Sequence, residues 1–254
     1  MQNSSMTDTL LNHRSIRKYK PDPIPYTILE YILEAGTRAS TTGNMQLYSI
    51  IVTTDEEVKE ELSPCHFNQP MVRQAPVVLT ICADFNRFNK WCRQRKAEPG
   101  YDNFLSFFTA AIDALLVAQN VSVAAEDAGL GICYLGTTTY MAGKIIEVLK
   151  LPAGVVPVAT VTVGYPDEWP EQTDRLSLDA VIHRETYKDY TSSDIDRLYR
   201  EKELMASYQE FVKENNKETL AQVFTDVRYK KEDNVLFSKS LLDILAKQGF
   251  MNHP

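Results

Sequence analysis

Between Leu10 and Pro25 the chain reads LLNHRSIRKYKPDPIP. His13, Arg14, Arg17, Lys18 and Lys20 fall within eight residues, with Ser15 among them. Cations this dense repel one another unless something negative sits between them. A guanidinium is a planar fork of donors that matches a phosphate or the edge of a flat heteroaromatic ring. A serine hydroxyl donates to the same group. On a helix His13, Arg14 and Arg17 would lie one turn apart and share a side. The competing reading is a solvated face paired with Asp22 or Glu30, because charge runs usually are surface.

Other stretches carry complementary chemistry. ASTTGNMQLY, from Ala39 to Tyr48, packs Ser40, Thr41, Thr42, Asn44 and Gln46 between a helical and an extended pattern. Hydroxyls there suit a phosphate or a polyol chain, and amides suit a ring with alternating donors and acceptors; an ordinary Asn/Gly turn is the alternative. Gln69 is a further amide just ahead of a strand. CYLGTTT brings Tyr134, Leu135, Gly136 and Thr137 to a strand end with open backbone N–H groups, and Arg175 follows the last core strand. A ligand with a phosphate, a polar chain and a flat heteroaromatic ring answers all of these, and FMN has that shape. A cation near N1 and O2 of its ring stabilises the reduced anion, and a backbone N–H near N5 tunes hydride acceptance.

The elements that must position these groups follow from periodicity. Thr7 or Asp8 caps a helix running toward Tyr19. PYTILEYILEAGTRAS repeats apolar residues at helical spacing behind Pro25. LYSIIVTT, APVVLTICAD, GICYLGTTT and VVPVATVTVGYP read as strands. The second is nearly all apolar and so buried on both faces. DEEVKEELS and AGKIIEVLKLP are short helices. A long helix from Asp102 to Gly129 is apolar on nearly every side, which places it in the core or at a subunit interface. Residues 85–100 carry five basic residues between Arg87 and Lys96 and read as a mobile basic lid. Residues 167–183 read as a loop. The division expected is a core over 1–190 and a charged helical extension over 191–254.

The bulk numbers bound the class. The chain has 254 residues, 44% hydrophobic and 24% charged, as expected of a soluble globular protein with a sizeable core. A formal net charge of −7 argues against nucleic acid as partner. Cys65, Cys82, Cys92 and Cys133 match no zinc spacing and suit a reducing cytoplasm. The N-terminus lacks the pattern of a signal peptide, and no run of 18 apolar residues suggests a membrane span. No G-x-G-x-x-G follows a strand and no Walker A motif occurs, so a nicotinamide nucleotide would only visit. His66 beside Cys65 would be a poor nucleophile pair, since neighbours on a loop rarely face each other.

HRSIRKY, AAEDAGLGICYLG and ICADFNR together resemble the FMN-dependent nitroreductase family, in its long-tailed branch of oxygen-insensitive nitroreductases and NADPH-flavin oxidoreductases. The resemblance runs from about Leu10 to Tyr187 and more weakly to the end. It implies an α+β fold with a central mixed sheet surrounded by helices. It also implies a homodimer embraced by the C-terminal extension, with two FMN sites at the subunit interface. The implied reaction is ping-pong: NADPH or NADH reduces the bound FMN, then a nitroaromatic, quinone or free flavin takes up the electrons. FMN carries the chemistry, so no side chain is expected to be catalytic. The implied cofactor contacts are His13, Arg14, Ser15, Arg17, Ser40, Thr41, Thr42, Gln46, Gln69, Tyr134, Leu135, Gly136, Thr137 and Arg175. The chain departs from the family where Thr137 replaces a second glycine, and where Thr173 and Asp174 stand ahead of Arg175 in place of a lysine pattern. Cations for the 2′-phosphate of NADPH would be Lys213 and Lys217, set among Glu210, Glu214 and Glu218, or the basic residues of 85–100. Alternatives are a flavin store or sensor with little turnover, a specialised reductive dehalogenase, and a phosphate-binding module without flavin.

Overall fold

A computed structural model describes residues 5–253. Helix α1 (Met6–Leu11) opens the described chain, capped by Ser5. The Ser5 hydroxyl accepts from the Asp8 amide at 3.2 Å, and the Asp8 carboxylate accepts from the Ser5 amide at 2.9 Å. This reciprocal cap satisfies two orphan amides. Thr7 and Asp8, the expected caps, therefore lie inside the helix. It also stops at Leu11 instead of running toward Tyr19. Residues 13–20 are extended. Ser15 bridges Ile132 in parallel, the Ile16 amide donates to the Ile132 carbonyl at 2.8 Å, and the Lys20 amide donates to the Tyr165 carbonyl at 2.9 Å. The helical side that His13, Arg14 and Arg17 were expected to share does not exist.

The next elements are α2 (Tyr26–Thr37), β1 (Tyr48–Thr53), α3 (Glu56–Leu62), α4 (Met71–Gln74) and β2 (Val77–Asp84). They are followed by α5 (Asn86–Gln94), α6 (Phe104–Asp127), β3 (Gly131–Leu135), α7 (Ala142–Val148) and β4 (Val155–Gly164). The strands form one sheet in the order β1-β2-β4-β3, every neighbour antiparallel. The expected α+β class holds. The named strands are all antiparallel, however, and the parallel component of the sheet is the single bridge from Ser15 to Ile132. All eight residues of β2 are buried, as their apolar run required.

Helix α6 supplies the core beneath the sheet. Ala114, Val117, Ala118, Val121 and Ala125 pack with Leu79, Ile81 and Val161 of the sheet and with Ile32 of α2. Its cap is Asn103, whose side chain accepts from the Ser106 amide at 3.0 Å, and not Asp102. Gly129, at φ +80°, follows its end as expected. By length and composition α6 could cross a membrane, but this face is the core layer of the fold. The opposite face leaves Leu105, Phe108, Ile112 and Leu115 exposed.

The segment 85–100 is largely helical, where a loose excursion was expected. Helix α5 is anchored by Cys92, which is buried, and by Phe88, edge-on to Phe85 at 6.3 Å and to Tyr101 at 5.6 Å. Arg87 donates to the Tyr48 carbonyl at 3.2 Å and to the Gln46 carbonyl.

The chain divides into two compact units, one ending at Glu171 and resuming at Phe237, the other Gln172–Leu236. The compact units part at 171/172, and the last residues belong to the first unit. There Leu245 and Phe250 join Leu47, Phe85 and Phe107 in a core cluster, and the Gln248 side chain donates to the Val155 carbonyl at 3.0 Å. The second unit holds α8 (Ser192–Leu204), α9 (Ala206–Glu214), α10 (Leu220–Val223) and the start of α11 (Lys231–Lys247). Thr191 and Asp194 cap α8 reciprocally.

A methyl group added at Gly36 in α2 would lie 2.2 Å from Val121 Cγ2. Overpacking of this kind costs about 1–3 kcal/mol, against a helix-propensity gain of about 1 kcal/mol. Gly36→Ala should lower the urea-unfolding free energy by about 1–2 kcal/mol, and adding Val121→Ala should recover part of that loss. An unchanged midpoint for the single variant would contradict this packing.

Candidate functional site

The two arginines open into different cavities. Arg14 lines one of about 470 Å³ with Asn12, Glu126, Gly131 and Trp169. Its Nη1 donates to the Asn12 carbonyl at 2.9 Å, its guanidinium lies 5.2 Å from the Trp169 ring centroid, and its Nε is enclosed without a partner. Arg17 is exposed and lines a cavity of about 650 Å³ with Tyr19, Pro70, Met71, Gln74 and Asp167. The Arg17 and Lys18 amides donate to Glu168 Oε1 at 2.7 and 3.1 Å. His13 Nδ1 sits 2.6 Å from Glu126 Oε1. Burial pushes the Glu126 carboxyl up, and the contact with His13 opposes this.

The parallel pairing of Ser15 with Ile132 carries the 13–20 stretch along β3 in the same direction. Beyond Ser15 the stretch passes to the residues after β4: the Asp167 amide donates to the Lys18 carbonyl at 3.0 Å and Tyr19 bridges Pro166, and Arg17 lines a cavity with Pro70 and Met71. The end of β3 is formed by Tyr134, Leu135, Gly136 and Thr137. Leu135 and Thr137 are buried, while Tyr134 and Gly136 are exposed. A Cβ built on Gly136 meets nothing within 4 Å, so the backbone there faces open space. Thr137 is bonded to His66: its Oγ1 lies 2.8 Å from His66 Nδ1. That bond ties the strand end to the turn that leads into Gln69. Phe67 and Asn68 in this turn both adopt left-handed conformations, φ 53° and 56°. Within the first unit, Arg17 thus shares a cavity with Pro70 and Met71, which follow Gln69, and the His66–Thr137 bond joins that turn to the end of β3.

The loop of Ser40, Thr41, Thr42 and Gln46 is organised by a residue that sequence reasoning passed over. Asp113, on α6, is 1% exposed. Its Oδ1 accepts from the Thr42 amide at 2.9 Å and the Thr42 hydroxyl at 3.1 Å, and its Oδ2 accepts from the Leu47 amide at 3.3 Å. The Thr42 hydroxyl, assigned to a cofactor on sequence grounds, is thus engaged within the chain. The signal was a lone carboxylate inside the apolar run FFTAAIDALL. Buried charges need such partners. Ser40 and Gln46 are exposed, and Gln46 has φ 54° with its carbonyl held by Arg87.

Arg175 belongs to the second unit. Its Nη1 donates to the Thr173 and Asp174 carbonyls at 3.2 and 2.9 Å. Asp174 does not face an anion there. It accepts from Lys202 Nζ at 2.7 Å and from the Tyr208 hydroxyl at 2.6 Å. His66 and Cys65 do not pair: Cys65 Sγ reaches the Glu61 carbonyl at 3.8 Å while the imidazole turns to Thr137. Among the described residues no group of three or more His, Cys, Asp or Glu side chains could hold a metal ion.

Against known proteins, the model of the nitroreductase family matches residues 10–67 and 63–165. An FMN reductase (NADPH) of Bacillus subtilis strain 168 is 37% identical over 182 residues, 71% of this chain and 73% of that one. A solved structure from Bacteroides fragilis NCTC 9343 is 58% identical with a TM-score of 0.95, covering 96% of this chain and 100% of that one. The NfrA1 nitroreductase of B. subtilis is 30% identical with a TM-score of 0.86, covering 98% of this chain and 100% of that one. The architecture is that of an α+β flavoenzyme. The chain belongs to the nitroreductase family.

Acid should act on this region through His66. Burial pulls its folded-state pKa down to about 4 from an ordinary 6.5. Between those values the unfolded chain takes up a proton that the folded chain refuses, so stability falls as pH falls from about 6.5 toward 4, then levels off. The loss attributable to His66 should approach roughly 3 kcal/mol. Unfolding free energies measured across this range for wild type and His66→Asn should diverge in slope. Parallel curves would contradict the assignment.

Proposed function

We infer that this chain is an NAD(P)H-dependent FMN oxidoreductase that holds the flavin against Arg17, the turn ending at Gln69 and the backbone from Tyr134 to Thr137. The observation that carries this reading is the open backbone at Gly136, on a strand end that the His66–Thr137 bond ties to the turn carrying the half-exposed Gln69 amide. The residues present fit FMN: a fixed cation suits its anionic reduced form, an amide suits its donor-acceptor edge, and bare backbone admits a flat ring. His13, Arg14 and Ser15 and the loop of Ser40, Thr41, Thr42 and Gln46 complete the proposed contact set. FMN held there would supply hydride acceptance from NAD(P)H and electron transfer to a nitroaromatic, a quinone or free flavin. The chain's own part is position and electrostatics. Arg17 supplies a planar guanidinium cation. Glu168 pins the Arg17 and Lys18 amides, and Asp113 holds the loop of Thr42.

The proposed assembly is a homodimer in the cytoplasm. Leu105, Phe108, Ile112 and Leu115 repeat along one face of α6 and are 70%, 52%, 44% and 46% exposed. An apolar stripe of this kind suits an isologous contact. The four cysteines are free and buried, as a reducing compartment allows. The helices of the second unit are proposed to embrace the partner.

Arg17→Ala should weaken FMN binding by about 1.5–3 kcal/mol, the value of a charged hydrogen bond. Equilibrium dialysis giving the wild-type affinity would remove Arg17 from the site. Phe108→Glu with Leu115→Glu should convert the protein to a monomer with reduced FMN content. Light scattering that still finds a dimer would exclude this face as the interface.

Nucleotide choice follows from which cations are unengaged. Lys217 is paired with Asp226 at 2.9 Å, and Lys213 shares a cavity with Glu203 and Glu218. Arg93 and Lys96 line a polar cavity of about 480 Å³ beyond α5. NADPH should be preferred over NADH by no more than about tenfold in kcat/KM, and Arg93→Ala with Arg95→Ala should erase the difference. A large preference that survives this change but vanishes on changing Lys213 and Lys217 would place the phosphate contact in the second unit.

A further inference from the structure

His66 is fully buried, and the flavin chemistry proposed above gives it no acid–base task. Its Nδ1 lies 2.8 Å from Thr137 Oγ1, while its Nε2 is enclosed with no partner. The ring therefore makes one polar contact within the protein, and that contact spans 71 residues of sequence. On one side stands the turn 63–69, where Phe67 and Asn68 are consecutive left-handed residues, neither of them glycine. Such backbone persists only where surrounding contacts over-determine it. The Asn68 amide donates to the Ser63 carbonyl at 2.9 Å and the Gln69 amide to the His66 carbonyl at 3.1 Å, so His66 is the pivot of this turn. On the other side Thr137 begins the turn after β3, where the Met141 amide donates to the Thr137 carbonyl at 3.1 Å. The same two segments meet a second time through Phe237, whose ring stacks on Tyr140 at 4.4 Å and lies 6.4 Å from Phe67.

We propose that His66 is a positioning residue for the cofactor: its bond to the Thr137 hydroxyl locks the strained turn that aims Gln69 onto the backbone turn that presents Gly136. This rests on the reading that these two segments hold FMN. A ring with its proton on Nδ1 donates to Thr137 and leaves Nε2 as a bare acceptor, which costs less than an orphan donor. A neutral imidazole suits this role because it is rigid and fills the enclosed space on both sides of the bond. Depression of its pKa to about 4 keeps it neutral under ordinary conditions.

The test measures FMN dissociation constants for wild type, Thr137→Val, Thr137→Ser, His66→Asn and the double variant His66→Asn with Thr137→Val. Arg17→Ala and Gln69→Ala serve as site controls. Melting temperatures of the FMN-free forms and circular dichroism of the flavin band are recorded alongside. Thr137→Val should raise the FMN dissociation constant by about fivefold to tenfold, as expected for one lost hydrogen bond, and change the flavin band. Thr137→Ser should recover most of that loss. The double variant should bind no more weakly than the weaker single one, because both remove the same bond. Three results would overturn the proposal. One is wild-type FMN affinity in Thr137→Val while Arg17→Ala and Gln69→Ala are weakened. Another is additive losses in the double variant, which would mean that the residues act separately. The third is wild-type affinity in all variants, controls included, and it would remove the flavin site itself from this place. Should Thr137→Val fail to fold, Thr137→Ser against His66→Asn decides, since only the second should weaken binding.

Discussion

The open edge of β3 is the constraint from which the site follows. β3 is the last strand in the order β1-β2-β4-β3, so one row of its N–H and C=O groups has no strand beside it. A bare edge is costly when buried and hazardous when exposed. The stretch from Ser15 to Ile16 covers it, with the Ile16 amide on the Ile132 carbonyl. The approach is close enough that a Cβ on Gly131 would fall 2.6 Å from the Ile16 side chain. Ile16 and Tyr19 are then buried as part of the core, and the Tyr19 hydroxyl donates to the Ile16 carbonyl at 2.6 Å. With the backbone extended, side chains three residues apart leave on opposite sides. That alternation is why Arg14 and Arg17 reach two cavities, and why Arg17 is the cation beside Pro70 and Met71.

Much of this was legible in the sequence, and what was not has a common cause. Strands β1, β2 and β4 announced themselves through β-branched runs, and α2 and α6 through spacing and length, because these signals are local. The opening cluster misled for the same reason. His13, Arg14 and Arg17 fit helical spacing, whereas their actual conformation is dictated by an edge strand more than a hundred residues away. The candidate residues near Thr137 and Gln69 stand out by type, as hydroxyl and amide chemistry at the ends of strands. Their mutual placement depended on His66, which looked from sequence like half of an unlikely pair with Cys65. The chain leaves the first compact unit at Glu171 and returns at Phe237, and charge composition carries no mark of such a return.

Charge in the second unit is largely spent inside it. Lys202 is held by Asp174, Arg197 by Asp179 at 2.5 Å and Lys217 by Asp226. Pairs such as Arg197 with Asp179 are well exposed and add little stability. Their effect is on recognition. A cation already facing a carboxylate must give up that partner before it can meet a phosphate, and the exchange returns little net energy in water. Lys202 differs because Asp174 and Tyr208 enclose it more tightly. Burial opposes ionisation of Asp174, but the bonds from Lys202 and Tyr208 outweigh it and hold the carboxyl below its usual range. The acidic residue beside Arg175 is therefore neutralised locally instead of repelling an anion. The Arg175 guanidinium meanwhile rests on the Thr173 and Asp174 carbonyls.

In the first unit the same economy is reached with buried polar groups. Asp113 fixes the loop after α2, His66 fixes the turn before Gln69, and Lys59 fixes the approach to β2. Lys59 is 2% exposed, with Nζ donating to the Ala75 carbonyl at 3.0 Å and paired with Glu56 at 2.7 Å. Each takes a side chain whose burial is unfavourable and supplies the partners that offset the cost. None adds much net stability by itself, since the bonds replace bonds to water. What such groups provide is uniqueness: an apolar side chain at Asp113 would tolerate many arrangements of the loop, whereas a carboxylate that needs the Thr42 and Leu47 amides tolerates few. The loops that sequence alone could describe only as polar are thereby given definite shapes. A site that contributes position more than reactive groups depends on loops with that property.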